Sequence, residues 1–131
     1  QLSYLSIPLA ELLGKKKSGN HGFDFHTANI TTDTVIFGEA KYLSCTSAYS
    51  SALPQIERFI NERKDIEDLP DLKPFCTTNA LNRANRGHKG FAESFSAKST
   101  SSDNLINTIK VRSDFKSLLC YEEIILVAVN I

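Results

Sequence analysis

An α/β fold, a mixed β-sheet flanked by helices, is the architecture that this chain of 131 residues predicts. Two observations lead to it. Apolar residues recur at helical spacing on either side of a pair of β-type runs, and the chain closes on the apolar run Ile124-Ile125-Leu126-Val127-Ala128-Val129. That run is far below the roughly 18–20 residues needed to cross a bilayer, so it reads as a buried strand.

Each element follows in order. Pro8 to Lys17 carries Leu9, Leu12 and Leu13 on one side and Glu11, Lys15, Lys16 and Lys17 elsewhere, with Ser18-Gly19-Asn20 as its stop. A strand is expected at about Gly22–Thr27, a turn over Asn29–Asp33, and a second strand at about Thr34–Leu43. The second is apolar nearly throughout, as a strand covered on both faces should be. A Ser/Thr-rich loop from Ser44 to Ser51 leads to a helix with Pro54 near its start and Ile56, Phe59, Ile60 and Arg63 at a period of 3.6. The helix runs into the acidic segment Asp65–Asp71. Phe75–Asn85 and His88–Ala97 are read as short helices broken at Gly87 and Gly90. Ser96–Asp103 is a polar loop, and Asp103-Asn104 caps a helix from Leu105 to about Val111. Asp114–Leu119 adds a turn, and Glu122–Ile131 is the closing strand, with Glu122-Glu123 facing solvent.

The bulk numbers suit one domain over residues 1–131: 41% hydrophobic and 23% charged residues, with few glycines and prolines. Fifteen basic residues balance fifteen acidic ones, so bulk charge gives no attraction to nucleic acid and any such surface must be local. Cys45, Cys76 and Cys120 are odd in number and widely spaced. They suggest neither a zinc site nor a disulfide framework but inert thiols of a cytoplasmic protein. No membrane span or signal peptide is visible. The chain has no methionine, and a β-type run is still under way at Ile131, so we expect a piece of a longer protein.

The chemistry concentrates in Gly22-Phe23-Asp24-Phe25-His26-Thr27 and Thr34-Val35-Ile36-Phe37-Gly38-Glu39-Ala40-Lys41-Tyr42. Strand alternation puts Asp24 and His26 on one face, Phe23 and Phe25 on the other. On the second strand Val35, Phe37, Glu39 and Lys41 share a face. A hairpin register that sets Asp24 beside Glu39 brings two carboxylates together, and these repel until one takes a proton or a hard cation joins them. Lys41 on the same face then serves an attacking water and the charge growing on a phosphate. The bare acid-x-lysine tripeptide has no weight alone, since it occurs four times: at Glu39, Glu62, Asp71 and Asp114. Only the first stands in an apolar strand, where a charged pair is costly unless it has a purpose. Without Asp24 it would read as a salt bridge at a sheet end.

The helix bearing Glu11, the strand bearing Asp24, and Glu39-Ala40-Lys41 in an apolar strand followed by a helix resemble the PD-(D/E)XK nuclease superfamily, over roughly Ile7 to Glu67. More narrowly, Gly22-Phe23-Asp24 and Phe37-Gly38-Glu39-Ala40-Lys41-Tyr42 resemble the nuclease subunit of Hachiman-type bacterial antiviral systems, which works with a helicase partner. The resemblance implies a restriction-endonuclease-like core and a Mg²⁺-dependent endonuclease, with Mn²⁺ as a substitute. Asp24, Glu39 and Ala40 would hold the metal, Lys41 would serve the water, and Glu11 would be an outer-shell or second-metal acid. Gln55 or Glu57 would support the site. Phenylalanine replaces the proline of the name motif before Asp24, a position that varies in the superfamily. DNA is the implied substrate, with RNA left open. A helicase or other defence subunit, or a second copy of the chain, would supply affinity.

Other features carry less. Lys15-Lys16-Lys17 reads equally as a phosphate grip and as a helix end whose cations favour the dipole. Asn82 to Gly90 is the densest basic segment, a nucleic-acid contact or an exposed loop. His26 is a structural histidine before it is a ligand. The Gly-x-Ser-x-Gly, Gly-x-Gly-x-x-Gly and phosphate-loop signatures are absent. The alternative to an enzyme is a nuclease-like fold kept for binding without turnover.

Overall fold

The computed structural model describes residues 4, 22–42, 48–97 and 102–130, excepting the side chains of Ser102, Asp103 and Asn130. The helix expected at Pro8–Lys17, with Glu11 and the lysine run, lies outside the described residues.

The architecture is α/β. Strands β1 (Phe25–Asn29), β2 (Thr34–Lys41), β3 (Gly90–Ala97) and β4 (Glu123–Asn130) form a four-stranded sheet in the order β1-β2-β3-β4. The β1–β2 pair is antiparallel and the other two pairs are parallel, so the sheet is open and mixed. The parallel crossovers carry the helices: α1 (Tyr49–Asn61), α2 (Lys64–Asp68), a 3₁₀ turn (Leu69–Leu72) and α3 (Thr78–Asn85) between β2 and β3, then α4 (Ser102–Lys110) and α5 (Ser113–Leu118) before β4. Among the described residues, no helix is long and apolar enough to cross a membrane.

Local chemistry sets these elements. Asn29 Oδ1 accepts the amides of Thr31 and Thr32 at 3.1 and 3.3 Å, which folds the β1–β2 turn. Left-handed Arg63 (φ 58°) separates α1 from α2. Thr77 caps α3, its hydroxyl oxygen accepting the Ala80 amide at 3.0 Å. Gly87, at φ 97°, turns the chain from α3 toward β3, a conformation that side chains rarely adopt.

The core lies between α1, α3 and one sheet face. Val35, Phe37, Phe91 and Phe95 from the sheet meet Leu53, Ile56 and Phe59 of α1, with Ala80 and Ala84 of α3. Phe23 joins this side, its ring centroid 5.4 Å from those of Phe37 and Phe59 and 5.8 Å from that of Phe91. Such pairs add about 0.5–1.5 kcal/mol each beyond simple burial. Phe25 takes the other face and lies over Gly38, where an added Cβ would sit 2.1 Å from its ring. The expectation that Phe23 and Phe25 share a face is therefore corrected. The chain bends at Asp24, and the bend resets the alternation.

Two further expectations change. Residues 90–97 form a strand, not a helix: Phe91, Glu93, Phe95 and Ala97 alternate with Ala92, Ser94 and Ser96 at a period of two. Among the described residues β4 pairs along one side only, and Val127 and Val129 are 47% and 38% exposed, so there it is an edge strand rather than a buried one. Glu123 is not a free surface acid either, since it accepts hydrogen bonds from the Tyr4 hydroxyl and from Asn29 Nδ2.

Candidate active site

The β1–β2 register sets the site. Phe25 stands opposite Gly38 and His26 opposite Phe37, and one further step brings Asp24 beside Glu39. The Asp24 amide donates to the Gly38 carbonyl at 2.9 Å, and Asp24 Oδ2 accepts the Ala40 amide at 2.9 Å. The exposed Asp24 carboxylate is thus pinned to the backbone next to Glu39.

Glu39 is 3% exposed, and its Oε2 has no hydrogen-bond partner among the described residues. Burial, followed by the charge of Asp24 and a hydrogen bond with it, pushes the Glu39 carboxyl up to about 8; Lys41 pulls the other way. Lys41 closes β2 half-buried, opposite Phe95, and has no ion-pair partner among the described residues. Its ammonium is therefore available to a ligand. The structure brings Asp24, Glu39 and Lys41 together at one end of the sheet, where β2 finishes and β1 begins. The carboxyl end of a parallel pair is also where open α/β sheets place ligands.

A residue that the sequence reading missed completes the acidic set. Glu93 stands in register with Glu39 on the parallel strand β3, on the same face. It is 1% exposed, and neither carboxyl oxygen has a hydrogen-bond partner among the described residues. Burial first, then the charge of Asp114, pushes its carboxyl up to about 8, while Arg112 opposes the rise. Arg112 itself is held by Asp114 in a two-pronged pair at 3.0 and 2.8 Å and lies over the Tyr49 ring at 5.5 Å. A visible signal was available: an acid centred between Phe91 and Phe95 in an alternating run.

Other candidates are placed elsewhere. His26 is buried, with Nε2 2.9 Å from Asp68 Oδ2, so its polar contact joins β1 to α2. Glu57 accepts a hydrogen bond from the Ser117 hydroxyl at 3.0 Å and ties α1 to α5. Gln55 is half-buried on α1. In the basic segment, Arg83 donates to the Asp33 carbonyl at 3.2 Å and Lys89 is buried against Asp65. This segment also precedes Gly90, which pairs with Ile36, so it lies toward the opposite end of β2 from Lys41.

Whether these residues fit a cation can be judged from their donors. Asp24 and Glu39 offer carboxylate oxygens, one of them buried and unpartnered, and the Ala40 backbone lies between Glu39 and Lys41. Among the described residues, no three His, Cys, Asp or Glu side chains converge closely enough to hold a metal by themselves. That set suits Mg²⁺, which keeps most of its waters and takes one or two protein carboxylates, and does not suit a dehydrated zinc centre. No family model, curated protein or solved structure matches this chain, and the reading of the site rests on its own residues.

Proposed function

We propose that this domain is a divalent-metal-dependent phosphodiesterase that cuts DNA, with RNA as the other substrate to test. The observation that carries the reading is the Asp24 carboxylate fixed on the Ala40 amide beside the buried Glu39, whose Oε2 has no hydrogen-bond partner among the described residues, two residues before Lys41, which forms no ion pair among them. The hairpin bearing these residues, followed by α1 and the parallel strand β3, supports a restriction-endonuclease-like core. The narrower resemblance supports a role in cytoplasmic antiviral defence or restriction beside a helicase or other subunit. The balanced charge fits a protein whose substrate affinity comes partly from such a partner or from a second copy.

Asp24, Glu39 and the Ala40 backbone would hold Mg²⁺ or Mn²⁺. Bound there, the ion supplies Lewis acidity to the phosphate and lowers the pKa of water. Asp24 keeps its position through the Ala40 amide and Glu39 through its packing in the sheet. The Lys41 ammonium orients the attacking water and donates to the phosphate oxygen on which charge develops. The apolar wall of Phe37, Phe91 and Phe95 keeps bulk water from behind the carboxylates.

One observation favours a second reading, a nuclease-like fold kept for binding. With its carboxyl raised to about 8, Glu39 holds a proton at neutral pH and shares it with Asp24 without any metal. Cleavage of plasmid and single-stranded DNA separates the two. Under the first reading, Mg²⁺ or Mn²⁺ supports cutting, EDTA abolishes it, and Glu39→Ala and Lys41→Ala each lose about 10²-fold or more. Cutting that survives in Glu39→Ala, or DNA binding by an inert wild type in the presence of metal, overturns it.

A further inference from the structure

Glu93 has no place in the motif that leads to Asp24, Glu39 and Lys41, and its surroundings do not explain it. A carboxyl side chain 1% exposed, with neither oxygen hydrogen-bonded among the described residues, is an expensive occupant of a core lined by Phe91, Leu53 and Ile56. Leucine or methionine would fill the same volume at no such cost. Nor is a counter-ion held in reserve for it. Arg112, the cation whose charge acts on Glu93, is engaged by Asp114 through two hydrogen bonds. What Glu93 does have is a defined neighbour. Its Cα is the parallel-strand partner of Glu39, and the two side chains rise from the same sheet face.

We infer that Glu93 is an outer-sphere carboxylate of the cation site: it accepts hydrogen bonds from the water shell of a hydrated divalent ion held by Asp24 and Glu39. This deepens the metal-dependent reading above and rests on it. The geometry favours this role over direct ligation, since no three acids converge on one point among the described residues. A small divalent ion retains several waters, and each needs an acceptor. Glu93 offers two unused oxygens one strand away from Glu39, and Glu39 has a third in Oε2. Outer-shell partners of this kind orient the ligands and commonly change metal affinity by about 10- to 100-fold. The matching arrangement is a Glu on one strand and a Glu beside it on the next. It binds the ion through the first and steers the hydration shell through the second.

The test is Mn²⁺ binding followed by calorimetry and by water-proton relaxation, on wild type, Glu39→Gln, Glu93→Gln and Glu93→Met. Glu93→Gln keeps the shape, and Glu93→Met removes every polar atom in case the amide disturbs packing. The expected result is Mn²⁺ binding by wild type, its loss in Glu39→Gln, and weakening by at least about tenfold in both Glu93 variants. The relaxation signal of the remaining bound Mn²⁺ should change as its waters lose their acceptor, while metal-free thermal stability stays equal or rises. Unchanged affinity and relaxation in both Glu93 variants, with Glu39→Gln defective, overturns the role of Glu93 alone. Absence of Mn²⁺ binding by wild type overturns the metal-dependent reading, and the role of Glu93 falls with it.

Discussion

Two groups of buried acids sit in this small domain and are treated in opposite ways. Asp65 on α2 is 1% exposed and meets Lys89, whose ammonium also lies over the Tyr121 ring. Asp68, one turn on, lies 2.9 Å from His26 and accepts the Phe23 amide at 3.4 Å. Across the core, Glu39 and Glu93 are as deeply buried, yet three of their four carboxyl oxygens have no hydrogen-bond partner among the described residues. The same fold thus puts a basic group in contact with each acid on α2, whereas the pair on the sheet forms no ion pair among the described residues. A buried acid that is paired fixes geometry between elements, and one left without a partner marks a candidate functional site.

The paired side should break hardest. Asp65→Ala would leave the Lys89 ammonium buried without its carboxylate, and removal of one member of such a pair costs about 3–5 kcal/mol. Urea unfolding should show that loss; a change below about 1 kcal/mol would mean that Lys89 reaches water and the pair is not a buried one. His26→Ala comes next. It removes a hydrogen bond to a carboxylate and an edge contact with Phe37 at 5.6 Å, and should cost about 1.5–3 kcal/mol. If instead His26 served the candidate site, its loss would reduce Mn²⁺ affinity with little change in the unfolding midpoint.

The contrast also shows which parts of the molecule were legible in the sequence. Asp24, Glu39 and Lys41 could be placed because a hairpin is a local object: a short turn and a period of two fix which side chains meet. The α/β class and mixed sheet followed from element order in the same way. Glu93 has no such local anchor, because Gly87 and Gly90 read in the sequence as breaks between helices. Gly87 instead turns the chain by its positive φ, and Gly90 opens β3 where the Glu123 carbonyl approaches closely. A parallel partner more than fifty residues away in the chain leaves no local trace in either strand. The face of Phe23 was missed for a related reason, since a single bend at Asp24 cancels the alternation. The edge position of β4 depends on pairing alone, and its apolar run reads the same whether covered or not.

The unpaired side responds with the opposite sign, and its response is set by pH. In the unfolded chain the Glu93 carboxyl titrates near its ordinary value of 4.5, whereas in the fold it is pushed up to about 8. Between these values the folded protein holds a proton that the unfolded chain has released. The stability contributed by this group is therefore complete below about pH 4.5 and lost as pH rises through about 8. Glu93→Gln has no such proton to lose. In EDTA, its advantage over wild type should open above about pH 4.5, widen through neutral pH and level off above about pH 8. Glu39 titrates in the same range and remains in both proteins, so it drops out of the difference apart from its coupling to Glu93. Thermal melts from pH 5 to 9 should show the two curves diverging up to about pH 8 and keeping a constant gap above it. Parallel curves would mean that Glu93 has found a partner, and the contrast between the two groups of acids would be lost. Excess Mn²⁺ supplies the sharper version. A cation between the acids favours their charged forms, so the wild type should regain stability at high pH and overtake Glu93→Gln. An acid kept only for packing would show no such crossing.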